Sequence, residues 1–148
     1  MNIKSLMALI LQLVCLPAIA NNSQETVEKE YQIYWGICSN TSLMQSYPQK
    51  ARKACNKAIE VDPNNPYISN PYLFKSLITI MFTDDLKKGQ SKTIFENTYK
   101  DLTKVIDNSD SVGQKSQASS YRLYTELIFK KKYKKYLGNN LCSDLERG

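Results

Sequence analysis

Apolar positions recur at three- and four-residue steps along most of the chain, and no stretch alternates strictly over the length of a strand. This pattern predicts an all-α fold. Val27, Tyr31, Tyr34 or Trp35, Cys38 and Leu43 share one face of a helix expected from Glu25 to Met44. Tyr47-Pro48 marks a turn, with Pro48 well suited to the first position of a second helix. That helix is expected to stop near Val61, because Asp62-Pro63 cannot continue it. Asn64 to Asn70 reads as a loop rich in Asn and Pro. A third helix is expected with Asn70 as its cap and Pro71 at its first position, and Phe74, Leu77, Ile78 and Met81 form its apolar stripe. Thr83 to Gln90 is a polar connection to a fourth helix capped by Ser91. The inward face of the fourth helix is Ile94, Phe95, Thr98, Leu102, Val105 and Ile106, and Asn108 to Gly113 breaks it. A fifth helix carries Tyr121, Tyr124, Thr125 and Ile128, and the lysine-rich stretch to Leu137 is also expected to be helical, with Gly138 as its stop.

The first twenty residues stand apart from this pattern. Lys4 gives a positive start, Leu6 to Leu16 is apolar except for Gln12, and Ala18-Ile19-Ala20 is a small-x-small cleavage signal. A secretory signal peptide over residues 1–20 is expected, cleaved after Ala20. Lipidation at Cys15 is disfavoured, because Val14 stands where such sites want a small residue. No later apolar run approaches the roughly 18 residues of a membrane span. The expected product is a secreted or periplasmic single domain over residues 21–148, with a loose tail from Gly138.

Within that domain, Trp35, Cys38, Ser39, Ser42, Ala51, Cys55, Ala58 and Pro63 fall at the spacing of a helix–turn–helix unit. They resemble one tetratricopeptide repeat, a roughly 34-residue unit with the pattern W-x2-L-G-x2-Y…A-x3-F…P. The resemblance is clear over about residues 32–65, with Cys38, Ser39, Ser42 and Cys55 departing from the usual residues. It implies a short stack of antiparallel helix pairs: unit one at about 27–63, unit two at about 70–107 and a degenerate or capping unit at about 114–137. Ala58 and Val105, which open similar helix ends, lie 47 positions apart. The excess over one repeat falls in the two connections, where helical repeats tolerate insertions. The alternative is a generic helical bundle.

In such a hairpin, turning near residues 46 and 47, Trp35 faces Ala58, Ser42 faces Ala51 and Cys38 faces Cys55. A Cys38–Cys55 disulfide is therefore expected, a device similar to the stapled helix pairs of Sel1-like secreted repeats. Two buried free thiols are the alternative, and Cys142 is left over.

The resemblance also implies a protein- or peptide-binding groove lined by the first helix of each unit. Asn40, Tyr72, Lys75, Thr79, Phe82, Arg122 and Phe129 are its candidate residues, beside Ile33, Gly36, Ser119 and Glu126. Some family members clamp a peptide's terminal carboxylate with a lysine–asparagine–arginine set. Asn40 and Arg122 fit that set, but Gly36, Thr79 and Glu126 replace the rest, so tail binding is not expected.

Charge adds one more surface. Residues 21–110 carry 11 Lys/Arg against 11 Asp/Glu, whereas residues 111–148 carry 8 against 3. The excess centres on Lys130, Lys131, Lys132, Lys134 and Lys135, a patch suited either to an anionic surface or to a solvated helix face with Phe129, Tyr133 and Tyr136 turned inward. Nucleic acid is not an expected partner of an exported protein. Catalysis is not expected either. The chain has no histidine, no Cys-x2-Cys pair, no Ser-x-x-Lys and no glycine-rich phosphate loop. No metal or cofactor is implied. The remaining reading is a small helical inhibitor or immunity-type protein of the cell envelope, acting through an exposed loop such as Asn64–Asn70.

Overall fold

The structure, a computed structural model, describes residues 23–88, 91–135 and Leu137. The expected signal peptide with Cys15, together with Tyr136, Gly138 and the tail with Cys142, lies outside the described residues. The fold is all-α, with no strand among the described residues. Helix α1 covers residues 23–38, and α2 (Thr41–Ser46) and α3 (Pro48–Val61) follow. Next come α4 (Ser69–Leu77), a π-turn (Ile78–Phe82) and the short α5 (Asp85–Lys88). The long helices α6 (Lys92–Asn108) and α7 (Val112–Tyr133) close the described chain.

The single helix expected over Glu25–Met44 is broken at Ser39 and Asn40. Asn40 adopts an extended backbone (φ −72°, ψ 109°), and its side chain accepts a hydrogen bond from the Leu43 amide at 2.8 Å. That is an N-cap, which restarts the chain as α2 instead of continuing α1. Ser39 closes the end of α1, with both its amide and its hydroxyl bonded to the Trp35 carbonyl at 2.9 Å. Ser42 consequently points to solvent and does not face the buried Ala51. Cys38 and Cys55 do face one another. They form a disulfide with Cα atoms 4.8 Å apart. The second helix ends where expected, with Pro48 in its first turn and its last helical residue at Val61.

The third helix begins one residue before the expected cap. Asn70 lies inside α4, and its side-chain oxygen accepts from Gln114 of α7. Further along, Ser76, Thr79 and Thr83 each turn a hydroxyl back to the carbonyl four residues earlier, at 2.9, 2.9 and 2.7 Å. Such back-bonding weakens the regular ladder and bends helices. Here the chain loosens into the π-turn, with the Thr83 amide donating to the Ile78 carbonyl at 3.2 Å. The extra residue rotates everything after it by about 100°. The expected stripe is therefore lost beyond Ile78: Ile80 is buried, and Met81 is exposed.

Thr83–Gln90 is not wholly an irregular connection, because α5 forms within it and buries Leu86. The inward face of α6 is as expected at Phe95, Thr98, Leu102 and Val105, with Asp101 buried among them. The third unit differs most from expectation. The fifth helix and the lysine-rich stretch are one continuous helix, so α7 has no second helix paired to it among the described residues. It ends before the expected Gly138, at Lys134, whose backbone turns left-handed (φ 56°). Its buried line is Ala118, Thr125, Glu126 and Phe129, whereas Tyr124 is exposed.

Two hydrophobic cores result. One joins Cys38, Met44, Ala51, Ala54, Cys55 and Ile78, with Trp35, Leu43, Phe74 and Phe82 packed against them. Trp35 meets Phe74 edge-on at 5.0 Å. The other joins Leu73, Ile80, Leu86, Phe95, Leu102, Val105, Ala118 and Phe129. The α4–π-turn segment supplies residues to both.

Candidate functional site

Three surfaces carry the chemistry-bearing residues. The first is an apolar hollow of about 520 Å³ at the corner between α1 and α2. Ile33 and Ile37 of α1 and Tyr47 beyond α2 stand around it, 63%, 40% and 57% exposed. The exposure of Ile33 and Ile37 follows from helical phase, since Tyr31 and Cys38 take the buried side of α1. Gly36 also lines the hollow, and a Cβ added there would meet nothing within 4 Å. Asn40, a sequence-predicted partner residue, sits on its edge as the N-cap of α2. The Cys38–Cys55 bond ties this corner to α3.

The second surface is a polar cleft of about 270 Å³ walled by α3, α4 and α6. Lys75 and Thr79, expected in the groove, open here instead, opposite Arg52, Asn56, Asn97 and Asp101. Lys75 pairs with Asp101 at 2.7 Å, and Arg52 pairs with Asp85 at 3.1 Å. Burial pushes the Asp101 carboxyl above its ordinary range, while the Lys75 ammonium, through charge and hydrogen bond, and the Lys104 charge pull it the other way. Thr79 is buried, its hydroxyl spent on its own helix. Tyr72 lies beneath two ammonium groups, Lys104 at 4.6 Å and Lys75 at 5.5 Å from its ring, and its hydroxyl accepts from Lys104 at 3.0 Å. Its four charges are therefore paired two by two. It ties helices together and offers no unpaired charge from these four ionic groups.

The third surface is the outer side of α7. Lys130, Lys131, Lys132, Lys134 and Lys135 are all exposed. Lys132 donates to the Lys88 carbonyl at 3.0 Å, which brings α5 to the end of α7. Phe129, expected in the groove, is instead in the core, edge-on to Phe95 at 5.5 Å. Tyr133 also turns inward and meets Phe95 at 5.9 Å. Arg122 is half-buried, its guanidinium 5.6 Å from the Tyr99 ring. Phe82 is half-buried against the first core.

The seven expected groove residues thus do not share one surface. Asn40 edges the hollow, Lys75 and Thr79 enter the cleft with Tyr72 beside them, Arg122 packs on α6, and Phe82 and Phe129 are used in packing. Ile37 and Tyr47 were not singled out from the sequence. For Ile37 the signal was an apolar residue off the phase of Tyr31 and Cys38 on α1, whereas Tyr47, between α2 and α3, carried no helical-phase signal. Asp101 carried a signal as well, a carboxylate directly before Leu102 on the buried face of α6.

Among the described residues, no group of three or more His, Cys, Asp or Glu is placed to hold a metal ion, and no helix is long and apolar enough to cross a membrane. No protein family, curated protein or solved structure matches this chain.

Proposed function

We propose that this chain is an exported, non-catalytic protein-interaction module, built as a short tetratricopeptide-like stack, that takes a protein or peptide at the α1–α2 hollow. The observation that carries this reading is the hollow itself. Three large apolar side chains are exposed around one concavity, on a corner held by a disulfide. Contiguous exposed apolar surface marks interaction sites, and a rigid frame lowers the ordering cost of binding. A short apolar segment of a partner, seated beside Gly36, suits the space.

The test is photo-crosslinking in envelope extract, with a photoreactive residue at Ile37 and a control at the exposed Lys53 of α3. A distinct adduct at Ile37 that disappears with Ile33→Glu is expected. The same adducts at both positions, or one indifferent to Ile33→Glu, would remove the reading.

The inhibitor reading has one observation in its favour. Tyr67 is 64% exposed on a loop that is nonetheless pinned. Its carbonyl accepts from Tyr31, and its amide donates to the buried Asn65, which also binds Asp62 at 3.0 Å. A crosslink at Tyr67 in place of Ile37 would favour that reading.

A further inference from the structure

The outer face of α7 has an order that the proposed protein-binding hollow does not use. At 100° per residue, Ser116, Ser120, Leu123, Tyr124, Leu127, Lys130 and Lys131 fall within about a third of the helix circumference. They lie opposite the buried Ala118, Thr125 and Phe129. Leu123, Tyr124 and Leu127 are 45%, 42% and 56% exposed, in the middle of the helix. Tyr124 extends this apolar band across a hollow of about 400 Å³ to Met81 on the π-turn, itself 54% exposed. One turn beyond Leu127 the face becomes cationic.

The 22-residue helix has a single carboxylate, Glu126, and it is buried. One of its oxygens accepts from the Leu137 amide at 2.6 Å. No acidic side chain of α7 therefore reaches the outer face. Lysines near a helix C-terminus are favoured by the helix dipole. That accounts for some of the cations, but not for leucine and tyrosine turned to solvent just before them.

We propose that this face binds an anionic lipid surface, with Leu123, Tyr124, Leu127 and Met81 entering the headgroup boundary and Lys130 and Lys131 meeting the phosphates. An apolar band with a cationic border is the composition of an interfacial helix. Lysine stems cover apolar surface while their ammonium groups stay in water. Lysine is also a point charge without the bidentate fork of arginine, which suits a diffuse negative surface better than one defined carboxylate. The lysines are all on one element and its exit, and the band lies on the outer side of a helix, where a flat partner can reach both.

The test is sedimentation of the protein, purified with the N-terminus the cell leaves, against vesicles of phosphatidylcholine alone and of phosphatidylcholine with one-third phosphatidylglycerol. Binding to the anionic vesicles that weakens with salt is expected, with little to the neutral ones. Lys130→Gln with Lys131→Gln should lower partitioning about tenfold or more, from roughly 1 kcal/mol per lysine at such a surface. Leu123→Gln with Leu127→Gln should lower it several-fold at constant charge. Both pairs are exposed, so unchanged circular dichroism and melting should accompany the losses. Equal binding to both vesicle types overturns the proposal, as does indifference to the leucine pair. Soluble poly-glutamate binding as tightly as the vesicles, independently of the leucines, would assign the patch to an acidic protein and overturn it too.

Discussion

Asp101 shows what burial does to a paired charge. Its ion pair with Lys75 favours the carboxylate, yet burial among Phe95, Thr98 and Leu102 raises its pKa above the ordinary value. A carboxyl with a folded pKa above its unfolded one holds its proton to higher pH in the fold. Its stabilising contribution is fully present below the unfolded value and is lost as pH rises through the folded value. Asp101→Asn cannot titrate. The wild type should therefore gain stability relative to Asp101→Asn as pH falls from neutral through the raised Asp101 pKa towards the unfolded value. Denaturant midpoints of the two proteins at several pH values give this difference, and a constant difference would contradict the expectation. Tyr31 behaves similarly at the alkaline end. Burial, then Glu28 and Asp62, pushes its hydroxyl up to about 12.

At the scale of elements, Gly36 is the position where stability and binding part. It lies inside α1, where glycine costs about 0.5–1 kcal/mol relative to alanine, and nothing crowds an added Cβ. Gly36→Ala should raise unfolding free energy by that amount while placing a methyl in the hollow. If a partner segment seats there, the Ile37 crosslink weakens although the protein is more stable. The elements themselves were largely legible. Pro48, Asp62-Pro63 and the stripe from Phe95 to Val105 mark boundaries and faces through local chemistry, and the structure follows them. What was not legible came from competition between neighbours. Asn40 fits equally within a helical pattern or as a cap, and its bond to Leu43 decides for the cap. The π-turn depends on the sum of three back-bonding hydroxyls, which no periodicity displays. The candidate sites suffered from the same shift. Once the phase turns at Ile78, a groove list counted straight through α4 no longer follows one surface, and packing reclaims Phe129.

At the scale of the molecule, the disulfide closes a loop of 17 residues' separation in the N-terminal half only. Replacing both cysteines by alanine should lower stability by about 3 kcal/mol in the chain-entropy model. Where that loss is felt depends on α4 and its π-turn. Ile78, Phe74 and Phe82 belong to the core stapled by the disulfide, and Leu73 and Ile80 belong to the core of α6 and α7. Neither core can lose this segment without exposing the other. The two halves should therefore melt as one cooperative unit, not as separable repeats. Hydrogen exchange in the cysteine-free protein should quicken in α6 and α7 as well as in α1 to α3. Faster exchange confined to the N-terminal helices would show two independent units. A covalent bond placed in one half would thus set the lifetime of the other.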